Sequence, residues 1–551
     1  MFGATAVALC VFCLLFLAME LRASMYDEGI VLTSAMQMMH GEVVHRDFHS
    51  EYGPGSYAVL AALFSLFSPS FLLARLFALV VESAIATMVF VLLRSRTRAW
   101  IAYGTTAVCV AWLIAGKSYL YPTFPCLALA LGGAMILLRS NALRSGRVLF
   151  AAGCCCGLSA YFRYDTGFFT LIAYSLAIGL GLIRRRSDKV GFRQALHGVV
   201  VLCTGAAAIF TPGVIAYLLT SPFQAFYADI VDYPLKYYAR MRGLPFPRFN
   251  DLLLDPAQLG IYLPLCAVAI ALPMTWRDWL AMRDARSVAD TGLLPPTWIF
   301  SLLALVLYYK GVVRVSVLHM LLAMVPALVL LALVVDRWWS KTDKHRLAAV
   351  LLIAVTALPA LAAVEYVVED FRLVPRLYVA GLVAERVGLL PQVTYMSSRC
   401  PPWPGMRFAW LSTMYAPAAY YIARHSEDGE RIFVVPYRSD KFFTNPLILY
   451  FATDRLPGTR YAEYDPGLQN REDIQRTMID ELSRDNVRFV VRDAPDHNKE
   501  PNESTQSSGV RLLDNYIDGH YRSVGESEKV QVLLRNDVPA PPWDRYPPVC
   551  R

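Results

Sequence analysis

Charge is scarce in this sequence. Only 17 % of its 551 residues are Asp, Glu, Lys or Arg, against about a quarter in soluble domains. The shortage is uneven. Up to about residue 365 the charges sit in short clusters between long apolar runs, and beyond it they are spread as in a soluble domain. That pattern implies a polytopic α-helical membrane protein followed by a soluble domain of roughly 180 residues. Other absences narrow the reading. The formal net charge is +8, but no basic patch is interleaved with aromatics, which argues against a nucleic-acid partner. The basic residues read instead as topology signals at helix ends. The first apolar run, residues 3–20, lacks a basic leader and a small-x-small cleavage site, so it reads as an uncleaved helix rather than a signal peptide.

Cysteine is nearly absent outside the apolar segments. Only Cys400 and Cys550 lie beyond them. Cys154-Cys155-Cys156 falls within one and reads as packing, since buried free thiols behave as small hydrophobes.

Spans are expected at about 3–20, 70–93, 99–115, 119–138, 148–162, 165–183, 195–219, 258–274, 295–309, 315–335 and 346–365, about eleven in all. Residues 29–40 suit a short amphipathic helix lying at the membrane interface. Residues 56–67 are apolar but too short to span, and suit a re-entrant or interfacial helix. Lys and Arg crowd one alternating set of loops, including Arg94, Arg96, Arg98, Arg184, Arg185 and Arg186. Those loops are therefore assigned to the cytoplasm. The N-terminus is then cytoplasmic, and an odd number of spans places the loop after the first helix and the C-terminal domain outside. Cys400 and Cys550 would meet an oxidising compartment there, and a Cys400–Cys550 disulfide is expected. The domains expected are 1–370 in the membrane, with a catalytic first outer loop at 21–55, a linker at 371–405 and a small α/β domain at 406–551. Within the last, 375–388 and 396–405 precede it as a helix and a Pro-rich linker. Helices at 407–425 and 471–485 and strands at 431–436 and 487–491 then alternate. Asn502-Glu503-Ser504 matches a glycosylation sequon, a motif too short to weigh much.

What the chain does have is one polar stretch against this apolar background. Asp27 and Glu28 directly follow the first apolar segment, and His45, Asp47, His49 and Glu51 come soon after. Acids before a helix serve equally as N-cap groups, but a carboxylate at the outer end of a membrane helix also suits a general base. The alternate spacing of His45, Asp47, His49 and Glu51 puts them on one side of an extended segment. A divalent metal, a substrate hydrogen-bonding role and a merely solvated loop all remain open, because the spacing matches no zinc signature. Gly53-Pro54-Gly55 makes a rigid turn that aims Tyr57 at the site. Arg163 and Asp165 share another outer turn, where they pair with each other or meet substrate. Lys310, Arg314 and His319 run against the positive-inside bias and call for an anionic partner, for which a phosphate is the natural choice. The loop at 220–256 is rich in Phe and Tyr and suits an aromatic belt or a cover for a lipid tail or sugar. Together these pieces fit an enzyme that takes a group from a phosphate-linked lipid.

The residues DEG, HGEVVHRDF, YGPGSY, FSLF and ARLF over 27–77 resemble the N-terminal signature of GT-C-type membrane glycosyltransferases. These include the protein O-mannosyltransferases, the lipid A aminoarabinose transferases and related bacterial enzymes. RVSVLH at 314–319 resembles an R-x-D-x-x-H turn of bacterial members, with Ser316 in place of the acid. FRYDTG at 162–167 and RIFVVP at 431–436 are similar to stretches in those relatives. The resemblance implies a GT-C-type fold and an inverting transfer from a polyprenyl-phosphate sugar to a hydroxyl of a glycan, lipid or protein, at the inner (plasma) membrane. It puts Asp27 at the catalytic carboxylate with Glu28 beside it, and His45, Asp47, Tyr57 and Asp165 near substrate. Arg163, Lys310, Arg314 and His319 would face the donor phosphate. Where many relatives carry Lys-Pro-Pro, this chain has Glu51-Tyr52-Gly53-Pro54 and no lysine, so any phosphate contact through that lysine is missing. Two readings from other classes stand beside it: a transporter or lipid flippase, and a non-catalytic assembly factor for surface polysaccharide. The C-terminal domain is expected to recognise the acceptor.

Overall fold

The computed structural model describes residues 2–19, 23–116, 121–139, 143, 145–185, 189–284, 294–368, 414–493 and 500–543. The expected helix at 375–388, the linker at 396–405 and both cysteines of the expected disulfide lie outside these residues. A helix occupies each of the apolar segments. In chain order the helices are α1 (Phe2–Ala18), α2 (Asp27–Met39), α3 (Gly55–Phe67), α4 (Phe71–Arg94), α5 (Ala99–Ala115), α6 (Thr123–Leu137), α7 (Gly146–Phe162), α8 (Tyr164–Arg185) and α9 (Lys189–Thr220). The short α10 (Phe223–Tyr227), α11 (Ala239–Arg242) and α12 (Phe249–Leu254) follow, then α13 (Leu263–Asp284), α14 (Pro296–Gly311), α15 (Val317–Trp339) and α16 (Asp343–Val368). Among the described residues, five stretches are long and apolar enough to cross a membrane: Phe71–Arg94, Tyr164–Ile183, Gly191–Thr220, Val317–Trp339 and Asp343–Val364.

Packing sorts these helices. Helix α15 is buried along most of its length. By contrast, α16 leaves Leu347, Leu351, Val355, Leu358 and Leu361 on the outside. Water would penalise that surface and hydrocarbon does not. Gly153 and Gly157 on α7 meet the backbone of α9 so closely that a Cβ on either would overlap Leu202 or Ala206. Small residues four apart allow such close approach between membrane helices.

The C-terminal part contains α17 (Ala416–His425), β1 (Arg431–Pro436), α18 (Ile448–Thr453), β2 (Leu456–Pro457), α19 (Glu472–Arg484), β3 (Phe489–Asp493), α20 (Leu512–His520), β4 (Tyr521–Ser527) and β5 (Val530–Arg535). The sheet order is β2-β1-β3-β5-β4. β1 lies parallel to β2 and β3, and β5 lies antiparallel to β3 and β4. Strand β3 is buried throughout and β1 from Ile432 onward, which explains the apolar runs IFVVP and FVV. The sequence reading of strands at 431–436 and 487–491 corresponds to β1 and β3. It missed β2 and the β4–β5 hairpin. Strand β4 reads YRSVGES and is only partly covered, so it lacks a clean apolar alternation.

Helix α2 corrects another expectation. It is not a half-exposed interfacial helix, since every residue from Glu28 to Gln37 is buried. It lies between the apolar helices and the sheet domain. Thr33 Oγ1 donates to the Leu447 carbonyl at 3.0 Å, and Ile448 N–H donates to the Met25 carbonyl at 3.0 Å. Gly29 permits this contact, because a Cβ there would stand 2.5 Å from Ile448 N. One continuous apolar core therefore runs from α4 and α15 through α2 into β1 and α18.

Candidate active site

The first polar loop is a seam, not a free acidic loop. His45 and His49 both turn onto Asp229, with Nδ1 to carboxylate distances of 3.2 and 2.9 Å. His45 Nε2 lies 3.0 Å from the Tyr164 hydroxyl. Arg460, from the sheet domain, donates to the His45 carbonyl, while His49 N–H donates to the Arg460 carbonyl. Asp229 sits in one of two wide π-helical turns, Ala228–Asp232 and Pro234–Tyr238, so the aromatic loop supplies the acid that holds both histidines. Burial pulls the His45 imidazole below its ordinary value, with the Asp229 carboxylate opposing. Burial works against the Asp229 carboxylate, but His49, His45 and Arg460 together hold it below the usual range.

This arrangement corrects the metal and substrate expectations for the loop. Asp47 closes its own turn, accepting from Val43 N–H at 2.7 Å and pairing with Arg46 at 2.6 Å. Glu51 lies elsewhere, on the cavity described below. Among the described residues no three His, Cys, Asp or Glu side chains converge as metal ligands. Tyr57 is fully buried, with its hydroxyl 2.8 Å from Ser50 Oγ, and does not reach the cavity.

The two adjacent acids have opposite surroundings. Glu28 faces inward. Its carboxylate accepts from Ser24 N–H at 2.8 Å and from Arg75 Nη2 at 2.7 Å, with Arg75 Nε on its other oxygen. Arg75 is 0 % exposed and Glu28 5 %. Glu28 therefore anchors α2 to α4 and does not line the cavity that Asp27 faces. Asp27, one position earlier, faces a cavity of about 1030 Å³ between the apolar helices and the sheet domain.

Of the expected site residues, Asp27, Glu51, Arg314 and His319 line this cavity. Arg163 and Lys310 do not. Both turn to Asp165, at 3.1 and 3.4 Å, so this carboxylate supplies an anionic partner within the chain. The Arg163 guanidinium also lies 4.9 Å from the centre of the Tyr52 ring, and Tyr52 is on the cavity wall. Asp165 is thus tied to these cations rather than placed at the cavity. Arg314 lines the cavity and meets Glu500 through both nitrogens, at 3.0 and 2.5 Å, and donates to the Arg242 carbonyl. Burial opposes ionisation of Glu500, yet Arg314 and Asn502 hold its carboxyl below the ordinary range. The sequon residue Asn502 is occupied in this loop, donating to the Gly243 carbonyl at 3.2 Å. His319 Nδ1 is 2.7 Å from Ser316 Oγ.

Sequence reasoning missed the other half of the wall. Glu463, Asp465, Asp493 and Glu500 come from the sheet domain, and Tyr238 and Arg242 from the aromatic loop. The Tyr26 hydroxyl lies 3.2 Å from Asp465 Oδ1, and Arg242 Nη2 lies 3.6 Å from the same oxygen. Burial, and then repulsion from Asp465, raises Glu51 and Glu463 well above the ordinary carboxylate value. Burial also raises Asp465, against the pull of Arg242. The acidic, aromatic run RYAEYD at 460–465 was the available signal. Chemically, the site offers a carboxylate at a helix start, several further carboxyls, and two guanidiniums within one enclosure. It can take a proton from a hydroxyl and face an anion in the same space.

No family model matches this chain, and no curated protein matches it. Its fold nonetheless has solved counterparts. One is ArnT from Cupriavidus metallidurans in the apo state, with a TM-score of 0.53 and 16 % identity over 96 % of this chain and 96 % of that one. Another is ArnT from the same organism bound to undecaprenyl phosphate, with a TM-score of 0.51 and 15 % identity over 96 % of this chain and 97 % of that one. Over nearly its whole length, then, the chain has the fold of ArnT, as the GT-C-type motifs near its N-terminus implied.

Proposed function

We propose that this protein is a membrane glycosyltransferase that moves a sugar from a polyprenyl-phosphate carrier to a hydroxyl acceptor. One observation carries the reading: Asp27, the residue the GT-C signature marks, opens onto a large cavity, in a fold shared with an ArnT structure that holds undecaprenyl phosphate. About eleven spans, a cytoplasmic N-terminus and an extracytoplasmic sheet domain belong to the same proposal.

The chemistry follows from the wall. The acceptor oxygen bonds to the anomeric carbon while the bond from that carbon to the phosphate oxygen breaks. The electron pair leaves with the phosphate, and the acceptor proton passes to Asp27. A single displacement of this kind inverts the anomeric centre. Arg314 meets the leaving phosphate in place of Glu500, and Arg242 adds a second guanidinium as charge develops. Tyr52 stands where relatives have lysine, so this chain relies on its arginines for the anion.

The test uses membranes containing the protein and a labelled polyprenyl-phosphate sugar. Transfer should move label into a lipid-free or acceptor-bound fraction and release bare polyprenyl phosphate. Label that only crosses the bilayer, still attached to its carrier, would point to a flippase and overturn the reading.

A further inference from the structure

Glu463 belongs to the sheet domain, yet it stands in the cavity wall. Its backbone is fixed. Gln469 Nε2 donates to its carbonyl, and Asn445 Nδ2 donates to the Ala462 carbonyl at 2.8 Å. Its side chain is another matter. The residue is 7 % exposed, and among the described residues neither carboxyl oxygen has a hydrogen bond or an ion pair. Its neighbours are served differently: Asp465 has Tyr26, Arg242 at 3.6 Å and His49 at 3.8 Å. Even so, Asp465 Oδ2 and Glu51 Oε1 are buried without a hydrogen-bond partner. Buried polar groups are almost always satisfied, so Asp465 Oδ2 and Glu51 Oε1, on the same wall as Glu463, mark where a ligand supplies the partner.

Among the described residues no three His, Cys, Asp or Glu side chains converge as metal ligands, and a space of about 1030 Å³ has room for a sugar. We propose that Glu463 is a substrate-binding residue that recognises hydroxyl groups of the transferred sugar. This rests on the glycosyltransferase reading above. Burial, then the nearby Asp465 and Glu51, favours the neutral acid at Glu463. A neutral carboxyl donates one hydrogen bond and accepts others, which matches adjacent hydroxyls on a sugar ring. The sheet domain then contributes to donor selection, and not only to acceptor recognition.

The test compares binding of bare undecaprenyl phosphate with a panel of undecaprenyl-phosphate-linked hexoses and pentoses, using purified wild type, Glu463→Ala and Glu463→Gln. Wild type should bind at least one sugar-bearing lipid more tightly than the bare carrier. Glu463→Ala should lose that preference by about tenfold while binding the bare carrier as wild type does. Glu463→Gln, which also donates and accepts, should retain it to within about threefold. Three results overturn the proposal: no preference in wild type, an unchanged preference in Glu463→Ala, or an equal loss in Glu463→Gln, which would assign an ionised carboxylate facing a cation. Failure of wild type to bind even the bare carrier would instead strike the glycosyltransferase reading itself.

Discussion

At the scale of the residue, neighbouring acids do different work. Glu28 completes a buried pair with Arg75, whereas Asp27 faces the cavity. Removing one partner of a buried ion pair strands the other charge and costs about 3–5 kcal/mol. Glu28→Ala should therefore lower thermal stability sharply in detergent, and by more than Asp27→Asn does. Similar melting of the two variants would contradict this division. His45 gives a pH prediction. Its folded value lies below the unfolded value of 6.5, so below that pH the unfolded chain binds the extra proton first. Stability is complete above pH 6.5 and falls as pH drops toward the folded value. Wild type should melt lower at pH 5 than at pH 7, and the difference should shrink in His45→Gln.

These residues also show what the sequence could disclose. Asp27 was legible because a motif and its place beside an apolar helix both marked it. Glu28 looked equivalent because its partner, Arg75, is 47 residues away. Glu463 was marked only by the acidic, aromatic run RYAEYD, because its place in the cavity wall depends on the chain closing over more than four hundred positions. The pairing of Arg163 with Asp165 was one of the two readings their shared turn allowed, and Lys310, read as needing an anion, also has Asp165 beside it.

At the scale of the element, α2 is the part that joins the two halves. Its periodicity suggested one wet face, and packing overrode that: the sheet domain covers the face that water would have taken. Gly29 makes the fit possible. Gly29→Ala would drive a Cβ into the Leu447–Ile448 backbone, and overpacking of this kind costs about 1–3 kcal/mol. Reduced thermal stability with retained membrane insertion is expected. A fully stable Gly29→Ala would show that α2 and α18 are not in this contact. The missed hairpin β4–β5 has the opposite origin. Strand β4 is the exposed edge, which needs few apolar residues, so its sequence carries little strand signal; β5, VQVLLR, lies inside the sheet and is mostly buried, and its apolar run was overlooked.

At the scale of the whole molecule, the apolar helices were readable from composition alone, because a bilayer demands long hydrophobic runs. The join between helices and sheet was not, since an apolar core shared by two regions leaves no boundary in the sequence. One consequence concerns the sheet domain. Deleting residues 414–551 would expose the covered face of α2, including Gly29 and Thr33. The truncated protein should aggregate in size-exclusion chromatography, where full-length protein gives a single peak. A monodisperse truncated form would mean that the shared core contributes little.

The central claim is that Asp27 takes the acceptor proton in a transfer from a polyprenyl-phosphate sugar. The most direct measurement is the transfer rate of Asp27→Asn against wild type, at equal abundance, in membranes supplied with the labelled donor. Loss of a positioned base predicts a fall of about 10²–10⁴-fold. Transfer at the wild-type rate would contradict the account.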